Sequence, residues 1–223
     1  MPSRRVEEST LEQFRSAACS GGPAPAGVAV SAASASFALG LLAKTLKVSG
    51  RRKDFAGDPS KLRQLADAAT EQSKMMMQIA QHDIEAFHNY MLSRRPSQVT
   101  GKSSQERGRD IHSAVAKAIE VPFQAARAAA AGLTTCAEAT SLVSRVVAAD
   151  LGAAASLLGA ALRVFLLCID SNVHQMESGA SLGRAATTDP QEWQDKACRQ
   201  EAFVVMEVTK AIETIATKQR RKP

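Results

Sequence analysis

Apolar residues recur along most of this chain at intervals of three and four, the spacing that lines one side of an α-helix. Thr10 and Gln13 have the spacing of a capping box, and Leu11, Phe14 and Ala18 then share one face, which predicts a short helix. Ser20-Gly-Gly-Pro-Ala-Pro-Ala-Gly27 breaks it. Residues 28–46 read as a long helix of small side chains, Ser34, Ala35, Ala38 and Ala43 among them, whose neighbours can approach closely. A basic loop at 48–59 follows, with Gly50, Gly57 and Pro59. The longest helical stretch is 61–92, where Leu62, Leu65, Met76, Ile79 and Phe87 keep helical spacing. Residues 94–109 read as a polar loop, and 111–132 as a helix that Pro122 kinks or divides. Residues 141–170 are a predicted core helix with a lone acid, Asp150. A connector at 177–187 leads to Asp189-Pro190-x-Glu192, an acidic cap, a proline at the first helical position and an acid in the first turn. The helix after it keeps Trp193, Ala197 and Val208 near one stripe. No run of useful length alternates with the period of a strand. The pattern predicts an all-α chain, a multi-helix up-and-down bundle of long small-residue helices. One domain is expected over 1–223, with the polar loop at about 94–109 and a basic tail at 218–223.

Composition supports this reading. Hydrophobic residues make up 45% of the 223 residues but aromatics only 4%, so alanine carries the apolar surplus. Alanine favours helices and packs poorly in strands. Residues 147–169 are long enough to span a bilayer, but Asp150 and Arg163 interrupt them, and a charge in a lipid-exposed helix is costly. A buried bundle helix is the better reading. The net charge of +6 suits an anionic ligand. The basic residues cluster in short runs without a nucleic-acid-reading motif, so no nucleic-acid partner is expected. The first twelve residues are polar rather than a secretory leader, which places the chain in the cytoplasm by default.

Few residues announce chemistry by themselves. The four cysteines are far apart and form no Cys-x-x-Cys pair. Glu85-x-x-His88 has the spacing of a di-iron bundle motif, but no second copy exists, so no metal is expected. Phosphate-binding loops and nucleophile elbows are absent. Asp150 differs in kind, because an acid in an apolar helix must be paired, solvated or protonated. Such groups are candidates for acid–base work, though a carboxylate paired with a base is the structural alternative.

A set of short motifs resembles the cyclodeaminase/cyclohydrolase family, which includes the C-terminal domain of formiminotransferase-cyclodeaminase and methenyltetrahydrofolate cyclohydrolases. In order they are Pro23-Ala-Pro25-Ala26-Gly27-Val28 before a small-residue helix, Gly50-Arg51-Arg52-Lys53-Asp54-Phe55, and Asp83-Ile-Glu-Ala86-Phe87. Val121-Pro122, Ala149-Asp150-Leu-Gly152 and Cys168-Ile-Asp-Ser-Asn172 follow. The resemblance runs over roughly residues 9 to 215. Ala26 and Val28 stand where the family has glycines, and Cys168 where it has an asparagine. Glycines there would permit a left-handed backbone and close approach of a ligand.

The resemblance implies either closure of formiminotetrahydrofolate with loss of ammonia or hydrolysis of the methenyl form. Either needs a carboxylate of tuned pKa, for which Asp150 and Asp83 are the candidates. Pro25, Gly27, Cys168 and Asn172 are the implied substrate contacts, and Arg51, Arg52 and Lys53 the grip on an anionic tail. No cofactor is implied beyond the tetrahydrofolate substrate itself. On an ideal helix Asp150 and Asn172 point within about 40° of each other but stand about 33 Å apart. Both can line one site only if a two-fold partner presents the opposite end, so a homodimer with antiparallel long helices is expected. Two alternatives remain: the same fold acting on a non-folate amine or imine, and a non-catalytic small-molecule-binding relative.

Overall fold

The structure is a computed structural model that describes residues 5–53, 55, 57–93 and 103–177, with the single positions 199 and 206. The predicted helix from Asp189 apart from those two positions, most of its connector, the basic tail and positions 94–102 of the polar loop lie outside the described residues. Five α-helices are described: α1 (Leu11–Ala18), α2 (Gly27–Gly50), α3 (Pro59–Ser93), α4 (Ser104–Ala139) and α5 (Ala148–Glu177). Single 3-10 turns, Val6–Glu8 and Arg145–Val147, precede α1 and α5. No strand occurs among the described residues.

Local chemistry explains the ends. The Thr10 hydroxyl accepts from the Gln13 amide, and the Gln13 side chain accepts from the Thr10 amide, so the predicted capping box starts α1. A second box, Ser103 with Glu106, starts α4 inside the stretch read as a polar loop. The helix therefore begins earlier than expected, because Ser103 and Glu106 satisfy orphan donors that polarity alone does not reveal. At its C-terminal end α2 runs to Gly50, three residues into the basic loop predicted at 48–59.

Two further expectations are corrected. Pro122 does not divide its helix; α4 runs through it unbroken to Ala139. The apolar stretch beginning at 141 is not helical from its start. A turn intervenes, where the Ser144 amide donates to Ser49 Oγ at the end of α2, and α5 begins at Ala148. The Leu142 and Val143 amides both donate to the Ala139 carbonyl at 3.0 Å, so the chain turns here instead of entering the helix ladder.

α2, α3, α4 and α5 form a four-helix bundle in which each helix runs antiparallel to its neighbours around the ring. Ser36 and Ser73 exchange hydroxyl-to-carbonyl hydrogen bonds of 2.8 Å between α2 and α3. Lys61 pairs with Glu138 at 2.9 Å between α3 and α4. Asn172 donates to the Ala118 carbonyl between α5 and α4. Gly27 faces Cys168 at one end of the α2–α5 seam, and Lys44 faces Asp150 at the other. Small residues set the close spacing: Ala29, Ala32, Ala35 and Ala38 on α2 are fully buried or nearly so, with Leu39, Leu158 and Phe165 filling between them. Both α2 and α5 are long and apolar enough to cross a membrane, whereas the sequence pattern singled out only 147–169. About half of each helix's most apolar window is buried in the bundle.

Candidate active site

The residues singled out from the sequence separate into two groups at opposite ends of the bundle. Pro25, Gly27, Asp83, Cys168 and Asn172 lie at one end. Arg51, Arg52, Lys53 and Asp150 lie at the other. Eighteen residues of α5 separate Asp150 from Cys168, a rise of about 27 Å. The two candidate carboxylates of one chain therefore never meet.

The first end is a niche at the start of α2. The Ala24–Pro25 peptide is cis, and Ala26 takes the cap position in an extended conformation, with no side chain able to cap the helix. A helix start leaves backbone amides without intrahelical acceptors. One of them, Ala29 N–H, donates 3.2 Å to Asp83 Oδ2 on α3. The cap is thus supplied from a neighbouring helix. Spacing places Asp83 there: Ile79, Ala80 and Ala86 bury their side of α3, and Asp83 sits at the margin of that face, turned toward α2. The N-terminal segment closes over the same end. The Val6 amide donates to Gln81 Oε1 at 2.9 Å, and Gln81 donates to Glu85 at 2.8 Å.

Burial raises the Asp83 carboxyl from its ordinary 3.8 to about 6, against the opposing pull of the Ala29 hydrogen bond. Asp83 is therefore poised to hold or release a proton near neutral pH. Cys168, half-buried on α5, completes the niche. Burial, and secondarily the negative charge of Asp83, push its thiol up from the usual range. It is a neutral thiol beside the carboxyl. A Cβ placed on Gly27 would stand 3.4 Å from Cys168 Sγ and 3.7 Å from Val164 Cγ1. Gly27 keeps open a space that even a methyl would occupy. Asn172 lies one turn beyond Cys168, with its amide 2.8 Å from the Ala118 carbonyl of α4.

The backbone itself does not need the missing glycines. None of residues 26–28 takes a left-handed φ. Val28 turns its side chain into the core at 6% exposure, away from the niche mouth. A β-branched residue is tolerated because the turn asks for no special backbone geometry.

At the far end, Asp150 belongs to the first turn of α5 and stands 4.0 Å from Lys44, with side chains 41% and 66% exposed. It is not the buried acid that the apolar pattern suggested. Its position at a helix N-terminus, where a carboxylate is favoured, explains how it is accommodated. Arg51, Arg52 and Lys53 follow the end of α2 on the surface. Among the described residues no three His, Cys, Asp or Glu side chains converge as a metal site would require, and Glu85 and His88 are exposed.

Sequence reasoning did not anticipate the amide-to-Asp83 bond or the partnership of Asn172 with Ala118. The first had a faint signal in the uncapped start of α2, and the second in the proline at 122.

A family model described as formiminotransferase-cyclodeaminase matches residues 10–187. Among solved structures, the crystal structure of formiminotetrahydrofolate cyclodeaminase from Thermotoga maritima aligns with a TM-score of 0.75 and 19% identity, covering 95% of this chain and 99% of that one. No curated protein matches.

Proposed function

The chain belongs to the formiminotransferase-cyclodeaminase family, and on that footing we propose that the Asp83 niche is the acid–base centre of an enzyme acting on a formimino- or methenyl-tetrahydrofolate. The observation that carries this reading is the Asp83 carboxyl, raised to about 6 beside the space that Gly27 keeps open. In ring closure, the substrate's second amine nitrogen, outside the ring whose nitrogen carries the formimino group, attacks the formimino carbon and forms the new C–N bond. The former imine nitrogen must then leave as ammonia, and it leaves only once protonated. A carboxyl with its pKa near 6 gives that proton readily and regains one from the attacking nitrogen. In the hydrolytic direction, the same group as carboxylate takes a proton from water. The start of α2 presents the positive end of its helix dipole to an anionic or electron-rich part of the substrate.

The proposal extends to a homodimer. Val30 and Phe37 on α2 and Leu157 and Leu167 on α5 are apolar residues exposed on the outer sides of adjacent helices. An antiparallel partner on this face would bring its own Asp150, Arg51, Arg52 and Lys53 toward the Asp83 niche, where the basic side chains could hold a glutamate tail. A second reading, a non-folate amine or imine substrate, is favoured by Cys168, a neutral thiol where the family pattern has an amide.

Mixing the purified protein with formiminotetrahydrofolate, and separately with methenyltetrahydrofolate, and following absorbance tests the proposal. Conversion that disappears in Asp83→Asn is the expected result. Absence of both binding and turnover at high micromolar folate removes folate as the substrate.

A further inference from the structure

Pro122 leaves a gap in α4. Proline has no N–H, so the carbonyl four residues before it, that of Ala118, receives no donor from position 122. An unsatisfied carbonyl in a partly buried position is costly, and prolines within helices commonly produce kinks for this reason. Here the donor arrives from another helix. Asn172 Nδ2 of α5 donates to the Ala118 carbonyl at 2.8 Å. The two residues, far apart in sequence, complete each other: Pro122 creates an acceptor and Asn172 fills it.

The position of this bond is informative. Asn172 is four residues from Cys168, so the two lie on the same side of α5, about one turn apart. Cys168 is the residue whose sulfur faces Gly27 and whose thiol feels the charge of Asp83. α5 is long, and among its side chains with described burial Phe165 and Ile169 are the last fully buried large ones. A directional hydrogen bond from Asn172 fixes the rotation and rise of this helix end more closely than apolar contacts do.

We propose that Asn172 is a positioning residue that works with Pro122: by filling the vacant acceptor at Ala118 it ties the end of α5 to α4 and holds Cys168 in register against Gly27 and Asp83. Through this bond the Nδ2 of Asn172 braces the bundle one turn behind the niche, a role separate from the substrate contact implied by the family pattern. Chemistry restricts the choice of residue. Aspartate would set an acceptor against an acceptor, and alanine would leave the carbonyl bare. The functional meaning rests on the niche being the reactive centre, but the brace itself is tested without any folate, so failure of one is distinguishable from failure of the other.

The test uses the rate at which a small thiol reagent modifies Cys168, in the full chain carrying Cys19→Ser and Cys198→Ser, with Cys136 as the internal control. Asn172→Ala is expected to raise the Cys168 rate about tenfold, the change in local opening that loss of one partly buried hydrogen bond corresponds to. Pro122→Ala restores an N–H at position 122, which can bond to Ala118 within the helix. In that background Asn172→Ala should no longer accelerate labelling. Three results overturn the proposal: an unchanged Cys168 rate, an acceleration that persists at full size with Pro122→Ala, and a parallel acceleration at the fully buried Cys136. The last would mark general loosening of the bundle rather than positioning of the niche.

Discussion

At the scale of single residues, Asp83 carries a conflict between stability and chemistry that pH exposes. Its carboxyl is raised in the folded chain to about 6 from an ordinary 3.8. The folded state therefore holds the proton more tightly than the unfolded state does. The group's contribution is fully favourable below about pH 4 and is lost as pH rises through about 6. Above that, the folded protein carries a buried carboxylate at a cost of up to about 3 kcal/mol. Asp83→Asn removes the charge and keeps an oxygen to accept from Ala29. The variant should be more stable than the parent by roughly 1–3 kcal/mol at pH 8, with the gain shrinking to near zero at pH 4. Urea denaturation of both proteins at the two pH values measures this. A gain that does not depend on pH would show that burial of charge is not its source. The same ionisation should appear in the rate. If Asp83 delivers the proton to the leaving ammonia, turnover falls as pH rises through about 6.

At the scale of elements, the bundle is legible wherever helical spacing and caps agree, and illegible where one residue is completed by another far away in sequence. α1 follows from Thr10 and Gln13, and α3 from the stripe of Leu62, Leu65, Met76 and Ile79. α4 was harder to read. Its first turns are polar, so only the Ser103–Glu106 box marks the start, and Pro122 argues for a break that the Asn172 bond helps to heal. Close packing at Gly132 was also invisible in the pattern. A Cβ there would stand 2.9 Å from Leu39 Cδ2 and 3.1 Å from Leu158 Cδ1, both on fully buried leucines of the neighbouring helices. Alanine would favour the helix by about 1 kcal/mol. Forcing two packed leucines to shift costs roughly 1–3 kcal/mol. The second effect is the larger, so Gly132→Ala should lower the melting temperature, with secondary structure by circular dichroism unchanged. A variant as stable as the parent would mean that the three helices separate more easily than their packing indicates.

At the scale of the whole molecule, the architecture sorts the candidate residues between two ends of the bundle, a separation that the ideal-helix distance from Asp150 to Asn172 foreshadowed and to which the structure adds Asp83 and the basic run. The family pattern collects Asp83, Asp150, the basic run and Asn172 as if they formed one site. The antiparallel bundle sends Asp83, Gly27 and Cys168 to one end and Asp150 and Arg51 to the other, about 27 Å apart along α5. Either only one end is the site, or two chains share it. A mixed-subunit experiment decides. Asp150 is exposed and its pairing with Lys44 is long, so Asp150→Asn should fold as well as the parent. If the site is shared, each homodimer of Asp83→Asn or of Asp150→Asn lacks one carboxylate at both of its sites. In a hybrid of the two variants, one site combines both substitutions and the other combines both intact carboxylates. Random reassociation makes half of the dimers hybrids, each with one intact site, so mixing two inactive variants should restore about a quarter of the parental turnover. If the Asp83 niche is complete within one chain, Asp150→Asn keeps its activity and mixing adds nothing. The outcome turns on geometry alone, because the substitutions are the same in the separate and the mixed samples.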